Sequence, residues 1–327
     1  MNAASARPKV IVTGRLPEEV ERELAARFDA QLNIDDRPLT ARELQQALQS
    51  ADALLTTVAD RITADVLEVP GRRANIIANY GVGYNHIDVA AAKRLGITVT
   101  NTPDILTDCT ADLAIMLMLI VARRAGEGER LVRAGHWTSW RPTHMIGTRV
   151  SGKTLGIIGM GRIGRATARR AQHGLGMKVV FFNRSTVPAE ALEGLDATQY
   201  DSIEEVLARA DFISLHCPGG EETRHLMNAA RLNAMQRHAF LINTARGDVV
   251  DEAALANALQ RGLLAGAGLD VYEHEPRVPE PLLTMENVVL LPHLGSATRE
   301  TRNGMGLMAA DNLSAFFAGQ VPPNKVA

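Results

Sequence analysis

Three side chains far apart in the chain each stand where an apolar or glycine-rich run gives way to a loop. Arg246 follows AFLINT, Glu275 lies in EHEP directly before Pro276, and His293 follows Pro292 at the end of VVLLP. Such runs read as buried strands, so the three residues are expected at strand ends. A guanidinium offers a planar fork of donors that suits a carboxylate or a carbonyl oxygen. An imidazole gives or takes one proton near neutral pH, and a neighbouring carboxylate stabilises its charged form. Together they could hold an anion and move a proton. Each also has a plainer reading: Arg246 paired with Asp248 or Asp251, and His293 a structural histidine like His86, His216, His225 or His274.

A second constellation is glycine. The run Thr154 to Ile158 enters a G-x-G-x-x-G spacing at Gly159, Gly161 and Gly164, and a helical stretch follows from Arg162 to about His173. Gly159 lets the chain reverse, Gly161 lets the backbone approach a pyrophosphate, and Gly164 lets the helix pack close to the strand. The amides of Arg162 and Ile163 then face the phosphates, where the helix dipole favours negative charge. The next apolar run, Lys178 to Phe182, ends at the position that reads a ribose. There the chain carries Asn183, Arg184 and Ser185, with no carboxylate before Glu190. A guanidinium suits a 2′-phosphate and cannot accept a hydrogen bond from a 2′-hydroxyl, so NADP(H) is expected ahead of NAD(H), with NAD(H) possible.

The elements that position these residues alternate. Strand-like runs at Val10 to Thr13, Ala53 to Thr57, Ile76 to Ala78 and Thr98 to Asn101 are separated by helical stretches at Pro17 to Phe28, Ala41 to Gln49, from Thr63, and Asp88 to Leu95. A long apolar helix, Asp104 to Arg124, leads on. After the glycine cluster come a helix at Ile203 to Ala210, a strand at Phe212 to His216, a strand at Ala239 to Asn243, a helix at Asp251 to Arg261, and strands at Gly266 to Asp270 and Val288 to Leu291. This alternation predicts doubly wound parallel sheets, whose ligand crevices lie beyond the carboxyl ends of the strands. A final helix, Ser296 to Phe317, would return the chain to the first domain. The turn Gly81-Val82-Gly83, after IIANY, could cradle a carboxylate on its amides.

Charge and cysteine usage narrow the field. Across 327 residues, 35 basic side chains nearly cancel 37 acidic ones, so no global field draws the chain to nucleic acid or to an anionic membrane. Cys109 and Cys217 are too few and too far apart to suggest a disulfide framework or a metal cluster, and no metal is expected. The start, MNAASARPKVIV, has no long apolar region, and Leu113 to Ala122 is about half the ~20 residues of a membrane span. A cytoplasmic setting is expected. Trp137 and Trp140, the only tryptophans, fall in the polar segment 125–150, where a second subunit would give them a surface to pack on.

Taken together, these stretches resemble the D-isomer-specific 2-hydroxyacid dehydrogenase family over essentially the whole chain. The resemblance is carried by NYGVGYNHID at 79–88, TPDILTDCTADLAIMLML, GKTLGIIGMGRIG, INTARGDVVDEAAL, GAGLDVYEHEP and LPHLGSAT. It implies a flavodoxin-like substrate domain, 1–103 plus 294–327, and a Rossmann cofactor domain, 104–293, with the active-site cleft between them and 125–150 as a dimerisation arm. It also implies catalytic roles for Arg246, Glu275 and His293, carboxylate binding at the Val82 and Gly83 amides, and a nicotinamide end lined by Thr110, Cys217, Pro218, Thr244, Ala245 and Asp270. Within the family, GHWTSWRP, NRS at 183–185 and LPHLGSATRETRN are most similar to the glyoxylate and hydroxypyruvate reductases, also called D-glycerate dehydrogenases. In that group an arm tryptophan reaches a partner's active site, which points to Trp140 and a homodimer. The implied reaction reduces a small 2-oxoacid to the D-2-hydroxyacid. Alternatives are the same chemistry on a longer 2-oxoacid or 3-phosphoglycerate, and a cofactor-sensing corepressor-like protein.

Overall fold

Short apolar runs, each followed by a helix, assemble into two all-parallel sheets. A computed structural model describes residues 7–327. The chain divides into two units, one running through Leu106 and including Ala297–Ala327, the other Thr107–Ser296. The first unit is therefore discontinuous in sequence.

Its strands are β1 (Lys9–Val12), β2 (Asp29–Gln31), β3 (Ala53–Thr57), β4 (Ile76–Tyr80) and β5 (Thr98–Thr100), in the order β2-β1-β3-β4-β5. This is the flavodoxin-like doubly wound order. Alternate side chains divide between two cores, as a parallel sheet covered on both faces requires. Ile11, Leu54, Ile77 and Val99 face one way. Val10, Leu55, Ile76 and Ala78 face the other, where Met305, Ala309 and Leu313 of the helix Arg299–Phe317 meet Val20 and Leu24. The C-terminal helix thus completes the core begun by the first strands.

The second unit carries β6 (Thr154–Ile158), β7 (Lys178–Phe182), β8 (Ala197–Tyr200), β9 (Phe212–Leu215), β10 (Phe240–Asn243), β11 (Gly266–Leu269) and β12 (Val288–Leu290). Their order, β12-β11-β10-β9-β6-β7-β8, is the Rossmann order with one further strand, and it reverses direction between β9 and β6. The crevice at that reversal lies directly beyond the glycine cluster. Phe212 and Phe240 stack at 5.1 Å in one core and Ile213 and Leu241 fill the other. Each fully buried side chain of this size contributes roughly 1.5–3 kcal/mol.

The structure adjusts several expected elements. The helix expected from Asp104 begins at Thr107, because Asp104 adopts φ +68, outside the helical region. The helix expected from Ser296 begins at Arg299, capped by the Thr298 side chain on the Thr301 amide. The helix expected from Thr63 is a single turn, Ala64–Leu67. Strands β2 and β8 lie at sheet edges. The segment after Arg124, read above as a polar arm with no element assigned to it, contains the helix Ala125–Arg133, none of whose residues is buried.

Candidate active site

The Arg246, Glu275 and His293 loops leave the carboxyl ends of β10, β11 and β12, three neighbouring strands. His293 Nδ1 and Glu275 Oε2 are 2.8 Å apart, and Glu275 Oε1 accepts from the Tyr272 amide at 3.2 Å. Burial pushes the Glu275 carboxyl up, but the His293 hydrogen bond, the Tyr272 amide and the charge of Arg246 outweigh it. The group is held below the ordinary glutamate range and stays ionised. Both side chains remain reachable, 31% exposed for His293 and 36% for Glu275.

His293 sits at φ +54, a conformation that side-chain-bearing residues seldom adopt. Asp270 holds it there. Its carbonyl accepts from the His293 amide at 2.9 Å, and its two carboxylate oxygens accept from the Leu294 and Gly295 amides at 2.6 and 2.8 Å. The resemblance implies a place for Asp270 at the nicotinamide end. In the structure each of its carboxylate oxygens accepts one amide of the histidine turn, and Thr110 adds to that brace by donating to the Gly295 carbonyl at 3.0 Å.

Arg246 is brought alongside by a close approach of backbones. A Cβ on Gly247 would overlap the carbonyl of Tyr272 and the amide of Glu273, so only glycine lets the arginine loop press against the glutamate loop. Asn243 braces the same loop from its side chain, donating to the Arg246 carbonyl and accepting from the Ala245 amide. Burial lowers the Arg246 pKa, while Glu275 and Asp248 pull it up, and a guanidinium this basic keeps its charge. The plainer reading of Arg246 as a partner of Asp248 is thus present as proximity, and it leaves the arginine beside Glu275 as well.

The glycine cluster suits a dinucleotide on grounds independent of its spacing. Gly159 has φ +98, and a Cβ there would meet the Cys217 amide at 2.7 Å. A Cβ on Gly164 would strike the Gly159 carbonyl. At Gly161, by contrast, no atom of the described residues beyond its chain neighbours lies within 4 Å of that position, which leaves the backbone open to approach by a pyrophosphate. The helix Arg162–Leu175 starts at this turn with no side-chain cap and no acidic residue in its first turn, so nothing negative competes with a phosphate at its N-terminus. At the end of β10 the buried Thr244 hydroxyl has no partner among the described residues. Cys217 is also mostly buried, and burial raises its thiol to about 11.

The ribose position is ordered by Asn183, whose side chain accepts from the Met160 amide and donates to the Ser185 carbonyl. Arg184 is ion-paired with Glu222, an interaction sequence reasoning missed. In the first unit, Asn79 was missed too. Fully buried at β4, it donates to the Gly81 and Gly83 carbonyls at 3.0 Å, while Asn101 donates to the Val82 carbonyl at 2.9 Å. With all three carbonyls held, the Val82 and Gly83 amides donate to no other group among the described residues. A polar residue inside an otherwise apolar run was the available signal. Three of the histidines weighed as structural do have protein partners: His86 meets Asn79, His225 meets Glu273, and His216 is buried against Ser214. Trp140 and Trp137 are exposed, at 78% and 54%.

Known proteins agree with this geometry. A family model described as D-isomer specific 2-hydroxyacid dehydrogenase, NAD binding domain, matches residues 115–295, so the second unit is an NAD-binding domain. Glyoxylate reductases of Korarchaeum cryptofilum and Thermococcus kodakarensis are each 45% identical to this chain, over 98% of it and 96% of each relative. A solved NADPH-dependent glyoxylate/hydroxypyruvate reductase from Sinorhizobium meliloti, in complex with NADP and malonate, is 36% identical, with a TM-score of 0.86 over 98% of this chain and 97% of that one. Identity of this extent along nearly the whole length, joined to a dehydrogenase domain that spans most of the second unit, makes this protein a member of the D-isomer specific 2-hydroxyacid dehydrogenases.

Proposed function

We propose that the protein reduces short 2-oxoacids, glyoxylate and hydroxypyruvate, to glycolate and D-glycerate, with NADPH preferred to NADH, as a homodimer in the cytoplasm. The observation that carries this reading is the 2.8 Å pair of His293 and Glu275, with the Arg246 loop fastened beside it. When bound, the reduced nicotinamide supplies a hydride from C4 to the keto carbon. Arg246 holds the substrate carboxylate and draws on the carbonyl oxygen, where negative charge gathers. Glu275 fixes His293 through Nδ1, so the proton delivered to that oxygen comes from Nε2. The Val82 and Gly83 amides of the first unit are further donors for the carboxylate.

Cofactor preference rests on Arg184, with Asn183 and Ser185 beside it and no carboxylate at the ribose position. The phosphates fall to Gly159, Gly161, Arg162, Ile163 and Gly164, and the nicotinamide end to Thr110, Cys217, Pro218, Thr244, Ala245 and Asp270. Support for a dimer comes from the arm, 125–150, where Val132, Trp137, Trp140 and Ile146 are all exposed large apolar side chains; Trp140 is the residue offered to a partner.

Steady-state rates against a panel of 2-oxoacids with both cofactors test the reading. Glyoxylate and hydroxypyruvate with NADPH are expected to give the highest kcat/KM, and failure to turn over either substrate overturns it. His293→Ala is expected to abolish reduction while NADPH still binds; loss of NADPH affinity in its place would mark a structural histidine.

A further inference from the structure

We infer that Glu222 is a cofactor-discriminating residue: with Arg184 it forms a clasp over the dinucleotide crevice that a 2′-phosphate has to open. The inference deepens the NADPH reading above and rests on it. Arg184 stands two residues beyond β7, and Glu222 lies in the turn Glu221–Thr223 after β9. In the sheet, β6 lies between β7 and β9. The hydrogen bond from Arg184 Nη1 to Glu222 Oε2 therefore reaches across the end of β6, above the glycine turn.

Both ends of this bridge are anchored and its middle is not. On the β7 side, Asn183 ties the loop to Met160 at 3.3 Å, and Gln199 donates to the Ser185 carbonyl at 3.1 Å. On the β9 side, the Thr223 hydroxyl donates to the Pro218 carbonyl at 2.6 Å, and the Gly220 amide donates to the Asp248 carboxylate at 3.2 Å. The two charged side chains are 71% and 79% exposed. The clasp is thus placed by the fold and can part without disturbing it.

A pair so exposed is weak, and a phosphate forking onto the guanidinium replaces it readily. The displaced carboxylate remains on an anchored turn close to a group of about two negative charges, and like charges oppose each other there. Glu222 therefore weakens NADPH binding twice, by occupying Arg184 and by repelling the phosphate. A ribose with a free 2′-hydroxyl brings no charge to this position and does not compete for Arg184. Arg184 creates the preference for NADPH, and Glu222 narrows it.

Calorimetric dissociation constants for NADPH and NADH, at low and raised ionic strength, test this with Glu222→Gln, Arg184→Ala and the double variant. Glu222→Gln is expected to tighten NADPH by about threefold to fivefold, the scale of an exposed ion pair, with NADH changed much less. The gain should shrink with salt and be clearly smaller in the Arg184→Ala background, where only the repulsion is left to relieve. No gain for NADPH, or an equal gain for NADH, overturns the clasp even where Arg184→Ala weakens NADPH selectively. Equal losses for both cofactors in Arg184→Ala overturn the clasp together with the NADPH reading.

Discussion

Two turns in this protein present backbone amides at the carboxyl end of a parallel strand, and they are built by different means. After β6 the turn is made by glycine: Gly159 takes a left-handed conformation, Gly164 yields to a carbonyl, and the helix behind begins without a side-chain cap. After β4 the turn is made by side chains, with Asn79 and Asn101 occupying the carbonyls of Gly81, Val82 and Gly83. The first kind depends on space being left open and the second on donors being present. The first is intolerant of added atoms and the second of removed ones.

The sharpest break in that contrast is Gly159→Ala. The new Cβ meets backbone at 2.7 to 2.9 Å in a conformation alanine resists, so a loss of several kcal/mol is expected, seen as a depressed urea midpoint together with lost dinucleotide binding. A midpoint like that of the natural chain would show that the turn has slack. Gly161→Ala separates packing from binding: with open space around its Cβ, stability should hold while NADPH and NADH both weaken by about tenfold or more. Unchanged affinity there would remove the pyrophosphate from this turn. On the other side, Asn79→Ala takes away a donor shared by two carbonyls, and KM for the 2-oxoacid should rise by about tenfold with NADPH affinity retained. A fall in kcat at constant KM would argue against a carboxylate seat.

The smallest effect is one of pH, and it belongs to the glycine-built side. His216, whose carbonyl borders Gly159, is held by burial at about 4, below the 6.5 of an unfolded histidine. The unfolded chain therefore takes up a proton first. Stability from this residue is present above pH 6.5 and is lost as pH falls toward 4, by on the order of 1 kcal/mol between pH 7 and 5.5. Urea midpoints at the two pH values measure it, and a Ser214→Ala variant, which removes the ring's hydroxyl partner, changes its size. Midpoints that do not move would place the ring in contact with water.

What was legible in the chain follows the same division. The glycine turn could be read because its geometry demands a residue type at each position, and the buried strands because both faces are covered. Two of the four edge strands, β2 and β8, were not legible: Asp29-Ala30-Gln31 has one half-buried residue between two exposed ones and no apolar run to mark it. Nor was the helix Ala125–Arg133, which buries nothing. Arg246, Glu275 and His293 were visible as strand-end residues, but the groups that position them are distant in sequence. Asp270 reaches Leu294 and Gly295 across a strand, Gly247 is dictated by Tyr272, and Glu222 holds Arg184 from the far side of β6. Residue type announces chemistry locally, whereas alignment of that chemistry is a property of contacts that no local pattern encodes.

The missing side chain at 247 also bears on how such a protein could change. Because the arginine-bearing and glutamate-bearing loops touch through bare backbone, neither can be redrawn without the other, and a lineage drifting toward a new substrate would have to leave this join untouched. Diversification is then confined to positions away from the join. Selection for a bulkier acid should accumulate its changes there while glycine persists at 247.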